Sequence, residues 1–251
     1  MWPVRQREGD PVQRAATHRT AKIRQAIAAT LATVAVLGLA GACEAGLGGT
    51  DDASGTTGDA GTPGAQQPQP GRFSVLPEPC GSVPVETLRE LLPEADEETY
   101  AGQPQPTYDT GRRVGCVWHH ATANDSRWLD VDFQRIVSYT PNISDDDQAE
   151  IDFEARADAA GVSVTSPSTP ADPLAPRLLD GIGHVAFINS TLTSDNAQNR
   201  RDVQVAFRTA NVIVTVNYTV STTGAGSAPD GALLQQRAQG VAQGLAGGFD
   251  G

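Results

Sequence analysis

The stretch DVQVAFRTANVIVTVNYTV, residues 202–220, contains two runs in which apolar and polar residues alternate. A period of two is typical of strands that bury one face. Ala210 and Asn211 form a short connection between the runs, which predicts a tight hairpin. Asn211 suits this connection because asparagine tolerates the left-handed backbone conformation that such turns use. The stretch therefore predicts two neighbouring strands that run antiparallel.

Further strands and helices lie on both sides of the hairpin. Alternating patterns predict strands at residues 113–120, 127–138 and 183–192. Apolar residues at helical spacing, with terminal signals, predict helices at residues 84–93, 144–161 and 231–249. The order is helix, two strands, helix, about three strands, helix. Because strand pairs follow each other directly, we expect an α+β fold with a largely antiparallel sheet and helices packed on one face.

The helix at residues 144–161 begins with capping residues. Ser144 or Asp145 can cap it, and Asp145 with Gln148 fits the spacing of a capping box. Three consecutive aspartates at residues 145–147 could also suggest calcium, but the glycine and distal glutamate of a calcium loop do not follow. Favourable interaction with the helix dipole explains the acidic residues, so we expect no metal here.

The first 42 residues differ from the rest of the chain. Basic residues come first, and the uncharged run QAIAATLATVAVLGLAGA follows at residues 25–42. A basic segment, an apolar segment and small residues before a break are typical of a secretory signal peptide. Residues 39–43, LAGAC, resemble the bacterial lipobox, in which small residues precede a cysteine. That resemblance implies that residues 1–42 are removed and that Cys43 carries a diacylglycerol as the mature N-terminus.

The alternative interpretation of this segment is an uncleaved membrane anchor. Arg24 and Glu44 bracket 19 uncharged residues, just enough to span a bilayer as a helix. Alanine, glycine and threonine dilute the run, and small residues crowd its exit end, which favours the lipoprotein. Both interpretations place the basic end in the cytoplasm and the bulk of the chain on the extracytoplasmic side.

The chain after the leader is strongly acidic. The leader holds six of the 18 basic and two of the 30 acidic residues, so the remainder has 12 and 28 and a net charge of −16. All 12 basic residues of the remainder are arginines. A surface of this charge repels phosphate backbones, so we expect no nucleic-acid partner.

A low-complexity segment separates the leader from the predicted domain. Residues 44–71 are rich in Gly, Thr, Ala, Pro and Gln, with one Leu and no aromatic residue. Such a composition cannot bury enough apolar surface to order itself. We therefore expect residues 43–71 to be a lipidated cysteine with a disordered tether of roughly 30 Å end to end. The 180 residues from 72 to 251 suffice for one extracytoplasmic α+β domain.

The chain has three cysteines. If Cys43 is acylated, Cys80 and Cys116 remain as a pair in an oxidising compartment, which predicts a disulfide. The chain-entropy model gives such a bridge roughly 3–4 kcal/mol of stabilisation. The alternative is a metal site that also uses His119 and His120, but the spacing fits zinc poorly, so we expect neither a metal nor another cofactor.

Several motifs together resemble a known family. These are EPCGSVPVETLRELLP, GCVW, LLDGIGHVAF and VAFRTANVIVTVNYT, placed behind a lipobox and a tether. They resemble the actinobacterial lipoproteins grouped as domain of unknown function 3558. The Cys…Cys-x-Trp frame, Gly181-x-Gly183 and the closing hairpin carry the resemblance, whereas His184 departs from the acidic or small residue expected after that glycine. The family implies the fold, the anchor and a disulfide, but no established activity.

The search for catalytic motifs finds little. Gly-x-Ser-x-Gly, His-Glu-x-x-His and Ser-x-x-Lys with its partners are absent from the sequence. We expect one of His119 and His120 to face the core and the other to face solvent. Aromatic residues on the first strand pair either belong to the core or line a groove for an apolar or sugar ligand. The residues that we assign to ligand contact are Trp118, Trp128 and His184.

The sequence favours a lipid-anchored lipoprotein of the cell membrane that faces the extracytoplasmic side. We expect it to be a non-catalytic binding or sensing module rather than an enzyme. Its expected partners are membrane lipid, through acylated Cys43, and either an envelope protein or a small apolar ligand. The alternatives are an accessory subunit of an envelope complex and an envelope hydrolase. A hydrolase requires a cleft in which one of the three domain histidines meets a carboxylate or a serine.

Overall fold

The computed structural model describes residues 67–195, 198–224 and 228–249. The leader, Cys43 and residues 44–66 of the expected tether lie outside these ranges, so the predictions made for them stay predictions. The helices are α1 Val85–Leu91, α2 Glu97–Ala101, α3 Asp145–Ala159 and α4 Gly231–Gly247. The strands are β1 Gln103–Pro104, β2 Arg113–Ala121, β3 Asp125–Arg135, β4 Arg177–Leu179, β5 Val185–Asp195, β6 Gln198–Thr209 and β7 Val212–Thr223.

All seven strands belong to one sheet, in the order β1-β2-β3-β7-β6-β5-β4, and every adjacent pair is antiparallel. The hairpin of β6 and β7 lies in the middle of the sheet, with β3 on its other side. In this register Phe133, Val214 and Phe207 lie side by side on the same face. The predicted α+β class and antiparallel sheet are confirmed.

One face of the sheet is apolar and carries the main core. Alternate residues such as Leu129, Val216 and Phe207 are buried there against Leu88 of α1 and Leu245 of α4. Helix α2 packs on the same face through its buried Tyr100. Three of the four helices therefore follow the expectation that helices gather on one face.

Helix α3 corrects that expectation, because it packs on the opposite face. Its Phe153 is 5.6 Å, between ring centroids, from Phe187 of β5, within a second core cluster that also includes Ala206 and Ile213. β7 begins with three apolar residues, VIV, whose side chains point alternately to the two faces of the sheet. This end of the sheet is therefore buried on both faces. Helix α3 covers the second buried face at this end of the sheet.

The turn between β6 and β7 also differs from its prediction. Ala210, and not Asn211, has the positive φ of 46°. The side chain of Asn211 is fully buried and pairs with the backbone of Phe73, accepting from its N–H at 2.9 Å and donating to its carbonyl at 2.9 Å. Asn211 therefore holds the segment that leads into the domain. Its side-chain amide offers Phe73 one donor and one acceptor, as the backbone of a neighbouring strand would.

Ser144, one of the two predicted caps, is the N-cap of α3, and the capping box lies one position earlier than predicted. Ser144 accepts a hydrogen bond from the N–H of Asp147, and Asp147 accepts one from the N–H of Ser144, so these two form the capping box. Asp145 is instead buried, where it accepts hydrogen bonds from the N–H groups of Gly71 and Ser138. Two of the three consecutive acids thus have structural partners.

The predicted disulfide is confirmed. Cys80 and Cys116 are joined at an S–S distance of 2.04 Å, which ties the segment before α1 to β2. Cys116 is buried in the main core, and Cys80 packs against it. Among the described residues, no helix has the length and apolar character needed to cross a membrane.

Candidate functional site

Part of the face that carries α3 remains open. Beyond α3, the cross-strand partners on this face are polar rather than apolar. Cross-strand partners share a face because side chains alternate along each strand. The register therefore brings together residues from β3, β7 and β6. We call this surface the open face, and its residues are Trp128, Asp130, Asp202, Gln204, Asn217 and Thr219.

A cavity of about 660 Å³, the sheet cavity, lies over the open face and extends to Asn189 and Thr191 of β5. Its volume falls within the range typical of small-molecule sites. In the part of the chain that the structure describes, no helix packs over this cavity. Its floor is formed by strand residues and is therefore held rigidly by the sheet.

Hydrogen bonds connect the side chains of that floor. The amide of Gln204 donates to the side-chain oxygen of Asn217 at 3.1 Å, and the amide of Asn217 donates to Asp130 at 3.2 Å. Gln105, which follows β1, donates to the other oxygen of Asp130. The chain of bonds crosses from β6 through β7 to β3, so it fixes the orientation of each polar group.

The surroundings of Asp130 on the open face shift the pKa of its carboxyl. Burial raises the pKa of its carboxyl above the ordinary value, and the neighbouring Asp132 adds to the rise, whereas the hydrogen bonds from Asn217 and Gln105 lower it. Asp202, by contrast, is neutralised by Arg200 at 2.7 Å and accepts a hydrogen bond from the Thr219 hydroxyl at 2.7 Å.

An aromatic pair stands at the border of the sheet cavity. Trp128 of β3 is 44% exposed, and His119 lies directly opposite it on β2, with 4.7 Å between the ring centroids. A second cavity of about 450 Å³, the edge cavity, lies on the β1 side of this pair. Its lining includes Trp128 and His119 together with Glu98 and Gln105. Trp128 therefore belongs to both cavities.

His119 also contacts a serine. Its Nε2 lies 3.1 Å from the hydroxyl of Ser126, which lines the sheet cavity. A catalytic triad needs a third group that orients the histidine. Among the described residues, no carboxylate is hydrogen-bonded to His119. The pair thus meets only part of what the hydrolase hypothesis requires.

The other two histidines of the domain lie elsewhere. His120 points to the same face as Trp118, and its Nε2 is buried without a hydrogen-bond partner among the described residues. The expectation that His119 and His120 face opposite sides is confirmed. His184 accepts a hydrogen bond from the N–H of Ala210 at 3.3 Å, beside the turn between β6 and β7. That position separates His184 from both the sheet cavity and the edge cavity.

The three predicted ligand contacts are therefore not brought together. Trp118 is only 1% exposed, and its indole N–H donates to the carbonyl of Tyr100 at 3.1 Å. This corrects its assignment, because an apolar ring on the core-facing side of β2 cannot reach a ligand. Trp128 alone lies in a cavity. The sequence analysis did not identify the polar residues of the open face. The signal that could have identified those on β7 is their alternation with valines and Tyr218 in residues 212–220.

The structure also contains an apolar cavity of about 470 Å³. It lies between the segment before α1 and the end of α4, and its lining includes Phe73, Phe133, Leu245 and Phe249. Its chemistry matches the small apolar ligand expected from the sequence. Within the described residues, no group of three or more His, Cys, Asp and Glu side chains is placed to hold a metal ion.

No protein-family model matches the chain, and no curated protein does. Among solved structures, the chain is similar to LpqN of Mycobacterium tuberculosis, which is described as involved in cell envelope biogenesis. The alignment covers 60% of this chain and 84% of that chain, with 10% identity and a TM-score of 0.24. A likeness at this level supports no argument about fold or function. The resemblance to domain of unknown function 3558 stays a prediction.

Proposed function

We propose that this protein is a lipid-anchored extracytoplasmic binding module whose open face holds a ligand of the cell envelope without catalysis. The observation that carries the proposal is the open face itself. There an exposed tryptophan adjoins a row of hydrogen-bonded amide and carboxylate groups over a cavity of small-molecule size. Large apolar side chains beside convergent polar groups are the usual composition of a binding site.

The lining of the open face favours a ligand that carries many hydroxyl groups. Amide side chains offer both donors and acceptors, carboxylates offer acceptors, and hydroxyl groups can satisfy both. A purely apolar ligand would cover Asp130, Gln204 and Asn217 without replacing their bonds to water, which costs free energy for each group. The small apolar ligand that the sequence suggested therefore fits this surface poorly, and a carbohydrate-like ligand fits it well.

The anchor follows from the sequence of the leader. A lipobox cysteine behind a basic and apolar segment supports lipidation at Cys43, and a Gly-rich and Pro-rich tether supports a domain that reaches away from the membrane. The acidic charge of the domain supports the same arrangement, because it disfavours close contact with anionic lipid head groups.

The Cys43→Ser variant is expected to be released from the membrane, because the residue that accepts the diacylglycerol is gone. Cell fractionation and labelling with a fatty-acid analogue measure the effect. Cys80→Ser is the matched control, since it removes another cysteine and should keep both the label and the membrane fraction. Retention of Cys43→Ser in the membrane would favour the uncleaved anchor.

Occupancy of the open face can be measured without knowing the ligand. Hydroxyl-radical footprinting of the full-length protein compares intact cells with protein purified in detergent. We expect oxidation of Trp128 and His119 to fall severalfold in cells, because a bound ligand excludes solvent from both rings. Tyr139, which is 79% exposed and lies outside both cavities, is the internal control and should change little. Equal oxidation of Trp128 in the two samples would contradict the proposal.

One observation favours a second candidate, an envelope hydrolase. It is the contact of 3.1 Å between His119 Nε2 and the Ser126 hydroxyl at the edge of the sheet cavity. The two candidates differ in what happens to a bound ligand. A hydrolase releases product and loses that activity in Ser126→Ala, whereas a binding module leaves the ligand intact in both the wild-type protein and that variant.

A further inference from the structure

The sheet cavity and the edge cavity adjoin at Trp128, and we treat them as one groove. Trp128 lines both, and the hydrogen bond from Gln105 of the edge cavity to Asp130 of the sheet cavity joins their floors. The groove crosses the strands in the order β1, β2, β3, β7, β6 and β5. Five interstrand spacings of ~4.8 Å give it a length of ~24 Å.

A groove of this shape is far longer than one small ring. A single sugar would occupy part of one cavity and leave the polar groups of the other to water. A linear chain of several sugars can lie along the whole groove and place successive rings on the two sides of Trp128. The geometry therefore matches an oligomeric ligand better than a monomeric one.

The aromatic pair is suited to the middle of such a chain. A sugar ring presents C–H groups on its faces and hydroxyls around its rim, so one face can pack on an indole while the rim meets polar side chains. His119 packs against the Trp128 ring at 4.7 Å and limits its rotation. A tryptophan that is already held in place loses little conformational entropy on binding.

The charge of the groove selects against an anionic chain. The edge cavity carries Asp96 and Glu98, and the sheet cavity carries Asp130 and Asp202. The only cationic side chain that lines either cavity in the described structure is Arg200, which is already paired with Asp202. Phosphate-bearing or uronate-bearing chains would meet like charge at Asp96, Glu98 and Asp130.

Resting on the proposed function, we infer that the ligand of the open face is an extended, uncharged oligosaccharide that lies across both cavities with one sugar ring stacked on Trp128. The polar network of Gln204, Asn217 and Asp130 binds hydroxyls on one side of the stacked ring. Glu98 and Gln105 bind those on the other side. The inference specifies length, charge and orientation for a ligand that the proposed function leaves general.

Calorimetry with the full-length protein in detergent tests the inference. The probes are gluco-, manno-, galacto- and N-acetylglucosamine-type oligosaccharides, from monosaccharide to hexasaccharide, and oligogalacturonides of matched length. We expect at least one neutral series to bind with an affinity that rises about tenfold or more with length before it levels off. Oligogalacturonides should bind at least about tenfold more weakly than neutral chains of equal length.

Variants of groove residues test where the oligosaccharide lies in the groove. Trp128→Ala should weaken binding of long chains by about tenfold or more, as expected for a central aromatic contact. Glu98→Ala should weaken long chains but not the shortest chains that bind in the sheet cavity. Tyr139→Ala, another exposed aromatic residue, is the matched control and should leave every affinity unchanged. An affinity independent of length, or equal loss in Trp128→Ala and Tyr139→Ala, would overturn the inference.

The outcomes also separate this inference from the function on which it rests. If no neutral oligosaccharide binds at millimolar concentration while Trp128 is protected in cells, the inference fails and the binding module stands. Tighter binding of the anionic series likewise overturns the inference alone. If Trp128 is unprotected in cells and no probe binds, both fail.

Discussion

The Trp118→Ala variant is expected to lose about 3–5 kcal/mol of unfolding free energy, the cost typical of truncating a large buried aromatic side chain. Trp118 is 1% exposed and belongs to the main core between the sheet and α2. A Cβ atom on Gly102 would lie 2.6 Å from its Nε1, which shows how closely the backbone packs against the indole. Urea denaturation followed by circular dichroism measures the loss.

Trp128→Ala is the matched control for that experiment. The two tryptophans lie on adjacent strands, β2 and β3, but on opposite faces of the sheet. Because Trp128 is 44% exposed, its truncation should cost about 1 kcal/mol or less. Similar losses for the two variants would contradict the assignment of Trp118 to the core and Trp128 to the open face.

Trp118→Phe separates packing from hydrogen bonding. Phenylalanine keeps an aromatic ring in the core but leaves the buried carbonyl of Tyr100 without its indole donor. We expect an intermediate loss of about 1–3 kcal/mol, the usual cost of an unsatisfied buried polar group. A loss as large as that of Trp118→Ala would show that the hydrogen bond dominates.

Removal of the disulfide is expected to cost about 3–4 kcal/mol of unfolding free energy. Cys80 and Cys116 are 36 residues apart in sequence, and a bridge over that distance restricts the unfolded chain strongly. The Cys80→Ala/Cys116→Ala double variant, compared with the oxidised protein in urea, measures the loss. Intact mass before and after reduction should differ by two hydrogens.

Reduction provides the control for the disulfide prediction. Reduced wild-type protein and the double variant both lack the bridge, so their unfolding free energies should agree within about 1 kcal/mol. The double variant should also be insensitive to reductant. A stability of the wild-type protein that does not change on reduction would contradict the prediction.

The sequence predicts the large elements of this fold because their patterns are local. The strands β6 and β7 each contain an alternating run of apolar and polar residues, and Ser144 marks the start of α3. Short elements have no such pattern: β1 has two exposed residues and exists because Gln103 pairs with Val117. Helix α2 was missed as well, since five residues are too few for a helical period to show. These elements depend on contacts that form only when the sheet is assembled.

The open face illustrates the same limit. An exposed aromatic residue on a strand can be suspected from sequence, and Trp128 was. Asn217, Gln204 and Asp202 look like ordinary solvent-facing strand positions, because polar alternation has the same form whether or not a ligand covers it. Only the register of β3, β7 and β6 places them beside Trp128. Trp118 is the opposite case. Its position along β2 directs its side chain to the core face of the sheet, so an aromatic residue suspected of ligand contact is buried.

The pairing of Asn211 with Phe73 has a mechanical consequence. A pull on the chain from its N-terminal side acts first on Gln69 and Gly71, which are hydrogen-bonded to Asp145, and then on Phe73, which is held by Asn211. The force therefore enters the domain at the start of α3 and at the turn between β6 and β7. Thr219 lies seven residues along β7 from Val212, about 23 Å at the rise of a strand. Tension on the proposed tether would therefore reach the sheet at the turn between β6 and β7, at a distance from Thr219 and the proposed binding surface.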